Sequence, residues 1–416
     1  MSTGKKIAFI VQRYGLEVNG GAELHCRQLA ERLAETNEVE ILTTCALDYL
    51  TWDTYYPVGE SFVNGIKVLR FNNKFGRNLK KEKFYRKLLH RRIRLIKNFQ
   101  YVHLVMSFFR KWRNGDIWVK MQGPYCKDLI SYLENNHHKY DALIFMTYLY
   151  YPTVFGLRIA PEKSILIPTA HDEEPIYFPP YVNVFHSPAF IMYNMESEKR
   201  FINETFNNTT IPSDIAGVGI QLQEEACRFS FKQHYGIDSD YILYVGRIDI
   251  NKGVNELFDN FREYHASDKN NLKLVVIGHA FIEIPKNENI IYLGFVSDEV
   301  KNCAMQEALL FVLPSHFESL SMVVLESLYF KVPVLVNGKC NVLVEHCKKS
   351  DAGFYYNDKK EFVEYINYAL DHKDILRQMG EKGKEYVQNN YQWDVILSKF
   401  EKAFDLICEQ SRPNIS

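Results

Sequence analysis

The chain has 416 residues, 46% hydrophobic, 24% charged and 14% aromatic, with a formal net charge of −1. That much apolar and aromatic material excludes a disordered chain, and the length favours two domains over one. No apolar run approaches the ~20 residues of a membrane-spanning helix, the best candidate being YVHLVMSFF at 101–109.

The opening residues, MSTGKKIAFIVQRYG, run straight into a strand with no cleavage signature, so no signal peptide is expected. KIAFIVQRYG (6–15) is a short, nearly continuous apolar run, as expected of a strand buried on both faces. The loop LEVNGG follows, then the helical pattern AELHCRQLAERLAET with Leu24, Leu29 and Leu33 facing inward, then strand VEILTT. GIKVLRF, DALIFM, SILIPT and FIMYN continue as strands, several separated by helical stretches. The plan restarts at YILYVGRID (241–249) with helix KGVNELFDNFREYH and strands LKLVVIG, NIIYLGFV, LLFVLP and VPVLV, joined to the first half near 211–221. Such alternation predicts an α/β protein of two doubly wound parallel sheets. The final helix, YQWDVILSKFEKAFDLI (391–407), falls after the second sheet is complete.

The eight cysteines are scattered, without a CxxC pair, and read as reduced, mostly buried thiols of a cytoplasmic protein. Cys340, His346 and Cys347 lack a second ligand pair at zinc spacing, so no metal site is expected. Asp238-Ser239-Asp240 has the D-x-D pattern of some metal sites, but its position just before YILYVG reads as a turn. No G-x-G-x-x-G follows either first strand, which argues against a nicotinamide cofactor.

In the second half, strand YILYVG ends in Gly246 and Arg247, and Lys252-Gly253 open the next helix. Cations where a strand feeds a helix suit a diphosphate, the alternative being a solvated turn. The stretch HFESLSMVVLES (316–327) places Glu318 at the mouth of a helix expected to begin at Ser319 to Ser321 and Glu326 further in. Free N–H groups at a helix start favour phosphate. A helical rise of 1.5 Å per residue would separate the two glutamates by roughly 12 Å, comparable to the span from hexose to ribose in a sugar nucleotide. A capping Glu318 and a half-exposed Glu326 would show the same spacing.

These residues resemble the retaining glycosyltransferases of family GT4: the E-x7-E of Glu318 and Glu326, the GR…KG of 246–253, and GGAE at 20–23 after the first strand. The resemblance implies the GT-B fold, two Rossmann-like domains facing a cleft. It corresponds to an acceptor-side domain at 1–213, a nucleotide-sugar domain at 214–390 and a C-terminal helix at 391–416 crossing back to the first. It implies that Glu326 binds the donor ribose, that Glu318 binds the transferred sugar, and that Ser319, Leu320 and Ser321 line the donor site with Gly246. Arg247 and Lys252 would hold the diphosphate and stabilise the leaving group. Gly20 and Gly21 would let the N-terminal loop approach donor and acceptor, and His171, in IPTAHDEEP, would orient the reacting sugar. The implied chemistry is metal-independent, needs no cofactor, and uses a UDP- or GDP-sugar with a glycan or lipid-linked acceptor in surface polysaccharide synthesis. Two departures stand out: the family's EA…G.P run reads ES…K.P here, with Ser327 and Lys331, and GKCNVLVEHC replaces the usual glycine-rich turn. A sugar-nucleotide epimerase of the same fold and a catalytically silent nucleotide-binding scaffold remain as alternatives.

Net charge hides an asymmetry. Residues 74–113 hold fourteen Lys and Arg against one acid, Glu82. Tyr85, Leu89, Ile93 and Ile96 recur at helical spacing within it, which suits contact with an anionic membrane on the cytoplasmic face. A solvated face is the plain alternative, and with no recognition motif beside the charge, nucleic acid is not expected.

Overall fold

The computed structural model describes residues 4–18, 20–96, 113–220, 227–267 and 271–410. The chain forms two compact units, one of Met1–Val218 with Asp394–Ser416, the other of Gly219–Trp393.

The first unit carries eight strands: β1 (Lys6–Ile10), β2 (Glu38–Thr44), β3 (Gly59–Val63), β4 (Ile66–Phe71), β5 (Ala142–Met146), β6 (Ser164–Ile167), β7 (Phe190–Tyr193) and β8 (Ser213–Ile215). Their order across the sheet is β3-β4-β2-β1-β5-β6-β7-β8. All neighbours are parallel except β3, which runs antiparallel to β4. β1, β5, β6 and β7 are buried almost throughout because helices cover both faces of a parallel sheet, hence their continuous apolar runs. The sequence expectation misses β3 and β8. β3 is an edge strand with Phe62 exposed, so it lacks a buried run. It turns into β4 through Asn64-Gly65, both at positive φ, a two-residue hairpin signal.

Helix α1 (Gly21–Leu33) buries Cys26, Leu29, Ala30 and Leu33 against the sheet. Leu24, expected inward, is only half-buried, and the polar Glu23 and His25 are buried instead. The basic helix α2 (Leu79–Ile96) turns Leu89 and Tyr85 into the unit's own core, beside Trp118 and Val119 of α3 (Arg113–Gln122). Those two members of its apolar stripe therefore serve folding, while the side chains of Ile93 and Ile96, and the run at 101–109, lie outside the described residues. Among the described residues no helix is long and apolar enough to cross a membrane. Helix α4 (Glu196–Phe206) follows β7.

The second unit has six parallel strands: β9 (Tyr241–Val245), β10 (Lys273–Ile277), β11 (Ile290–Gly294), β12 (Leu310–Leu313), β13 (Val334–Asn337) and β14 (Gly353–Tyr356). Their order is β11-β10-β9-β12-β13-β14. β14, GFYY, was not anticipated; three of its four residues are only half-buried, so it carries little apolar signal. Its principal helices here are α5 (Val254–Ser267), α6 (Asp298–Gln306) and α7 (Met322–Tyr329). Cys227 and Cys303 of α6 form a disulfide, which corrects the expectation that every cysteine is a free thiol. Cys26, Cys45, Cys126, Cys340 and Cys347 are free and buried.

The chain leaves the second unit at Trp393 and enters the long helix Trp393–Gln410. Ile396, Phe400, Ala403, Phe404 and Ile407 of this helix are buried. Lys5, beside β1, reaches Glu401 and Asp405 at 3.2 Å and lies over the Phe404 ring. This last helix is therefore part of the first unit's core. Phe404→Ala is expected to destabilise that unit by about 3–5 kcal/mol; urea unfolding followed with probes in each unit checks it, the second unit's transition staying in place.

Candidate active site

Both sheets are wound outward in two directions from their first strand, so the chain reverses at β1/β5 in one and β9/β12 in the other. At such a point the loops leaving the strands' carboxyl ends diverge and open a crevice. Most of the sequence-selected residues fall on these loops.

In the second unit, the β9 loop carries Gly246, Arg247 and Lys252, and the β12 loop carries Glu318. Lys252 Nζ donates to Glu318 Oε1 at 2.6 Å, bringing together two motifs 66 positions apart. Their side chains retain 26% and 12% exposure, low enough for the pair to hold and open enough for a ligand to reach it. Asp249 caps the turn by accepting from the Lys252 N–H at 2.9 Å, and its carboxylate lies 3.6 Å from Arg247. Gly253 has φ of 73°, and a Cβ there would stand 2.4 Å from the Pro314 carbonyl oxygen. Only glycine lets the β9 and β12 loops approach this closely.

α7 begins at Met322, later than the expected Ser319 to Ser321. Glu318, Ser319 and Leu320 lie in the preceding loop, so the helical rise does not apply across the whole Glu318–Glu326 interval. Ser321 is the N-cap with φ of 67°, a left-handed conformation for a residue with a side chain. Strain of this kind, about 1–3 kcal/mol, has to be held by its surroundings. His346 does part of this: its Nε2 donates to the Leu320 carbonyl at 2.6 Å, and its Nδ1 lies 3.2 Å from the Tyr386 hydroxyl. Both ring nitrogens of His346 are thus engaged within the fold. On the other side, Glu256 of α5 bridges His316 at 3.0 Å and Asn337 at 3.3 Å, steadying the β12 loop.

Glu326 is buried in α7, and sequence reasoning missed its partner. Lys301 of α6 donates to Glu326 Oε2 at 2.9 Å. Burial alone would lower the Lys301 ammonium; the charge and hydrogen bond of Glu326 outweigh it and hold its pKa above the ordinary value. The only local hint is Asp298, three residues before it and 3.3 Å away. The first departure from the GT4 pattern also finds a place. Lys331 sits at φ of 64°, where the family has glycine, and the Ser327 hydroxyl donates to the Val332 carbonyl at 2.9 Å. Asp238 to Asp240 form the bend expected, with Asp240 paired to Lys232 and Lys373.

In the first unit, Gln12 and Arg13 follow β1 and Thr147 follows β5. Glu23 Oε1 accepts from Gln12 Nε2 and Arg13 Nε, both at 2.9 Å, and the Thr147 hydroxyl donates to Gln12 Oε1 at 3.1 Å. All four side chains are buried. The glutamate of GGAE therefore braces the crevice wall, and this explains its first glycine: a Cβ on Gly20 would stand 2.2 Å from Glu23 Oε2. Gly21 differs, since nothing lies within 4 Å of the place its Cβ would take.

His171 follows β6, its Nε2 3.6 Å from Glu173 Oε2. The buried Tyr148 hydroxyl donates to Glu173 Oε1 at 2.6 Å. Burial works to raise the Glu173 pKa, but the bonds from His171 and Tyr148 prevail and hold it below its ordinary value. Next to it, Glu174 receives Arg86 Nε and contacts His90 Nδ1, each at 2.6 Å, so part of the basic helix is tied to the His171 loop.

Residues 228–386 match the family model of glycosyl transferases group 1. The chain also resembles named glycosyltransferases. It is 24% identical over 260 residues to the capsular polysaccharide biosynthesis glycosyltransferase CapM of Staphylococcus aureus, covering 53% of this chain and 67% of that protein. Across 433 aligned positions it is 22% identical to the uncharacterized glycosyltransferase MJ1607 of Methanocaldococcus jannaschii, covering 97% and 99%. Its fold, of the GT-B class, resembles Anabaena Alr3699/HepE, solved in complex with UDP, at a TM-score of 0.68 and 14% identity over 96% of this chain and 99% of that one.

Two outcomes follow. Gly20→Ala should lower stability by about 1–3 kcal/mol through overpacking against Glu23, whereas Gly21→Ala should leave thermal unfolding within about 0.5 kcal/mol of wild type. Burial pushes the His346 imidazole down to about 4, against a smaller opposing effect of the Leu320 carbonyl. The unfolded chain therefore binds a proton that the fold refuses between pH 6.5 and 4. The His346 contribution is complete above pH 6.5 and lost as pH falls toward 4, about 3 kcal/mol in all. Urea titrations of wild type and His346→Gln across this range should show that slope reduced in the variant.

Proposed function

We propose that the enzyme transfers a hexose, with retention of anomeric configuration, from a UDP- or GDP-sugar to a glycan or lipid-linked acceptor in surface polysaccharide synthesis. The observation that carries this reading is the Lys252–Glu318 contact at the β9/β12 reversal, where a diphosphate and its sugar would lie side by side. On donor binding, Lys252 exchanges Glu318 for diphosphate oxygens, and Glu318 is released to accept hydrogen bonds from the sugar. Arg247 supplies the second cation for the departing diphosphate. Glu326 keeps one oxygen on Lys301 and offers the other to the ribose hydroxyls, while Ser319, Leu320 and Ser321 line the donor beside Gly246. Gly20 and Gly21 admit donor and acceptor to the first unit's crevice, and His171 orients the reacting sugar. The first unit takes the acceptor and the second the nucleotide.

The relatives support this setting: CapM is named for capsular polysaccharide biosynthesis and HepE is solved with UDP. On α2, Lys80, Lys81, Lys83 and Lys87 are exposed around Leu79 and Phe84, which are 53% and 59% exposed. Cations interleaved with apolar side chains suit the inner face of an anionic membrane, where a lipid-linked acceptor would be found.

Nucleotide release from UDP-, GDP- and ADP-sugars, with and without a membrane lipid extract, tests the proposal. One donor should be turned over, and Glu326→Ala should lower kcat/KM for it by about 100-fold, the loss of charged hydrogen bonds to ribose. Turnover of no donor, or equal turnover by the variant, would overturn the assignment.

A further inference from the structure

The His171 loop is held by a residue with no place in the reading so far. Glu198 lies in the first turn of α4, 2% exposed. Its Oε1 accepts the Ala170 N–H at 2.5 Å and its Oε2 the Asn194 N–H at 2.7 Å. Its bond back to the Met195 N–H, the N-cap of α4, does the work of a helix cap. The Ala170 bond does not: it leaves the helix and joins the loop after β6 to the loop after β7, both at the carboxyl edge of the sheet. It falls between Thr169, at φ of 49°, and His171. A β-branched residue in that conformation is strained and needs an external hold. Tyr148, through Glu173, holds the far side of the same loop.

We infer that Glu198, as a carboxylate, is a positioning residue that clamps the His171 loop to the β7–α4 turn and so sets the imidazole for sugar transfer. This rests on the role given to His171 under Proposed function. The clamp needs both oxygens as acceptors, and a proton on either turns an acceptor into a donor facing an N–H. Burial, the largest influence, raises the Glu198 pKa to about 7, against the backbone bonds and the charge of His171. The other titratable groups facing it are His171, from the β6 loop, and Tyr193, at the end of β7. The clamp is therefore complete above pH 7 and loosens as pH falls through it.

Glu198→Gln fixes the one-acceptor state at every pH and tests the clamp in the whole chain. Donor turnover by wild type should fall about tenfold as pH drops from 8 to 6, with KM for donor unchanged. The variant should run at the wild type's low-pH rate throughout, with no such limb. Hydrogen exchange at Ala170 and Asn194 should be at least tenfold faster in the variant at pH 8, and faster in wild type at pH 6 than intrinsic exchange predicts. A limb that persists in the variant assigns it to His171 or another group and overturns the proposal. So does a variant that loses only thermal stability while keeping wild-type kcat, which is the behaviour of a plain helix cap. If no donor is turned over at all, the functional reading fails separately. The exchange data then decide the clamp, unchanged protection at the two amides refuting it.

Discussion

A parallel sheet that grows outward in both directions from its first strand has to send adjacent connections to opposite faces. A gap at that strand's carboxyl end is therefore built into the winding. In this chain the constraint operates twice, at β1/β5 and β9/β12. Polar residues gather at these gaps because elsewhere helices cover the sheet and favour apolar side chains. Gln12, Arg13, Glu23 and Thr147 occupy the first gap, and Arg247, Lys252 and Glu318 the second. In each, glycine permits the close approach: Gly20 against Glu23, Gly253 against Pro314.

Carboxylates buried on the segments that follow the strands lose water, and each finds a partner that offsets the loss. Glu318 has Lys252, Glu326 has Lys301, Glu23 has Arg13, and Glu173 has Tyr148 and His171. Glu198 relies on backbone N–H groups, and burial raises its pKa to about 7. The lysine contacts also make the second unit's gap self-neutralising when empty. An anionic ligand that draws Lys252 away would uncover the Glu318 carboxylate, so on the proposed reading binding the diphosphate and exposing the sugar-binding group become one event.

The fold class was legible in the sequence because double burial of parallel strands writes continuous apolar runs, as in KIAFI, ALIFM and YILYV. β3, β8 and β14 escaped because edge strands bury less and write less. At the candidate site, Arg247, Lys252, Glu318 and Glu326 were visible as motifs, but their partners were not. Lys301 looks like any surface residue of an amphipathic helix until the fold brings it to Glu326. Glu198 reads as an ordinary first-turn acid, since its reach to Ala170 depends on β6 and β7 being neighbours. The late start of α7 was hidden because Ser321 adopts a left-handed conformation that no local preference favours. The basic segment reads as one amphipathic face, yet Leu89 and Tyr85 are claimed by the core and Arg86 by Glu174.

The return of the last helix to the first unit has a consequence for synthesis on the ribosome. The first unit's strands emerge first, but the helix bearing Phe400 and Phe404 comes only after the whole second unit, from Gly219 to Trp393, has been made. At 5–20 residues per second that interval is roughly 9–35 s. The later unit can close before the earlier one does. For that time the nascent first unit displays an uncovered apolar face near Lys5, open to chaperones, while its closing helix is still untranslated.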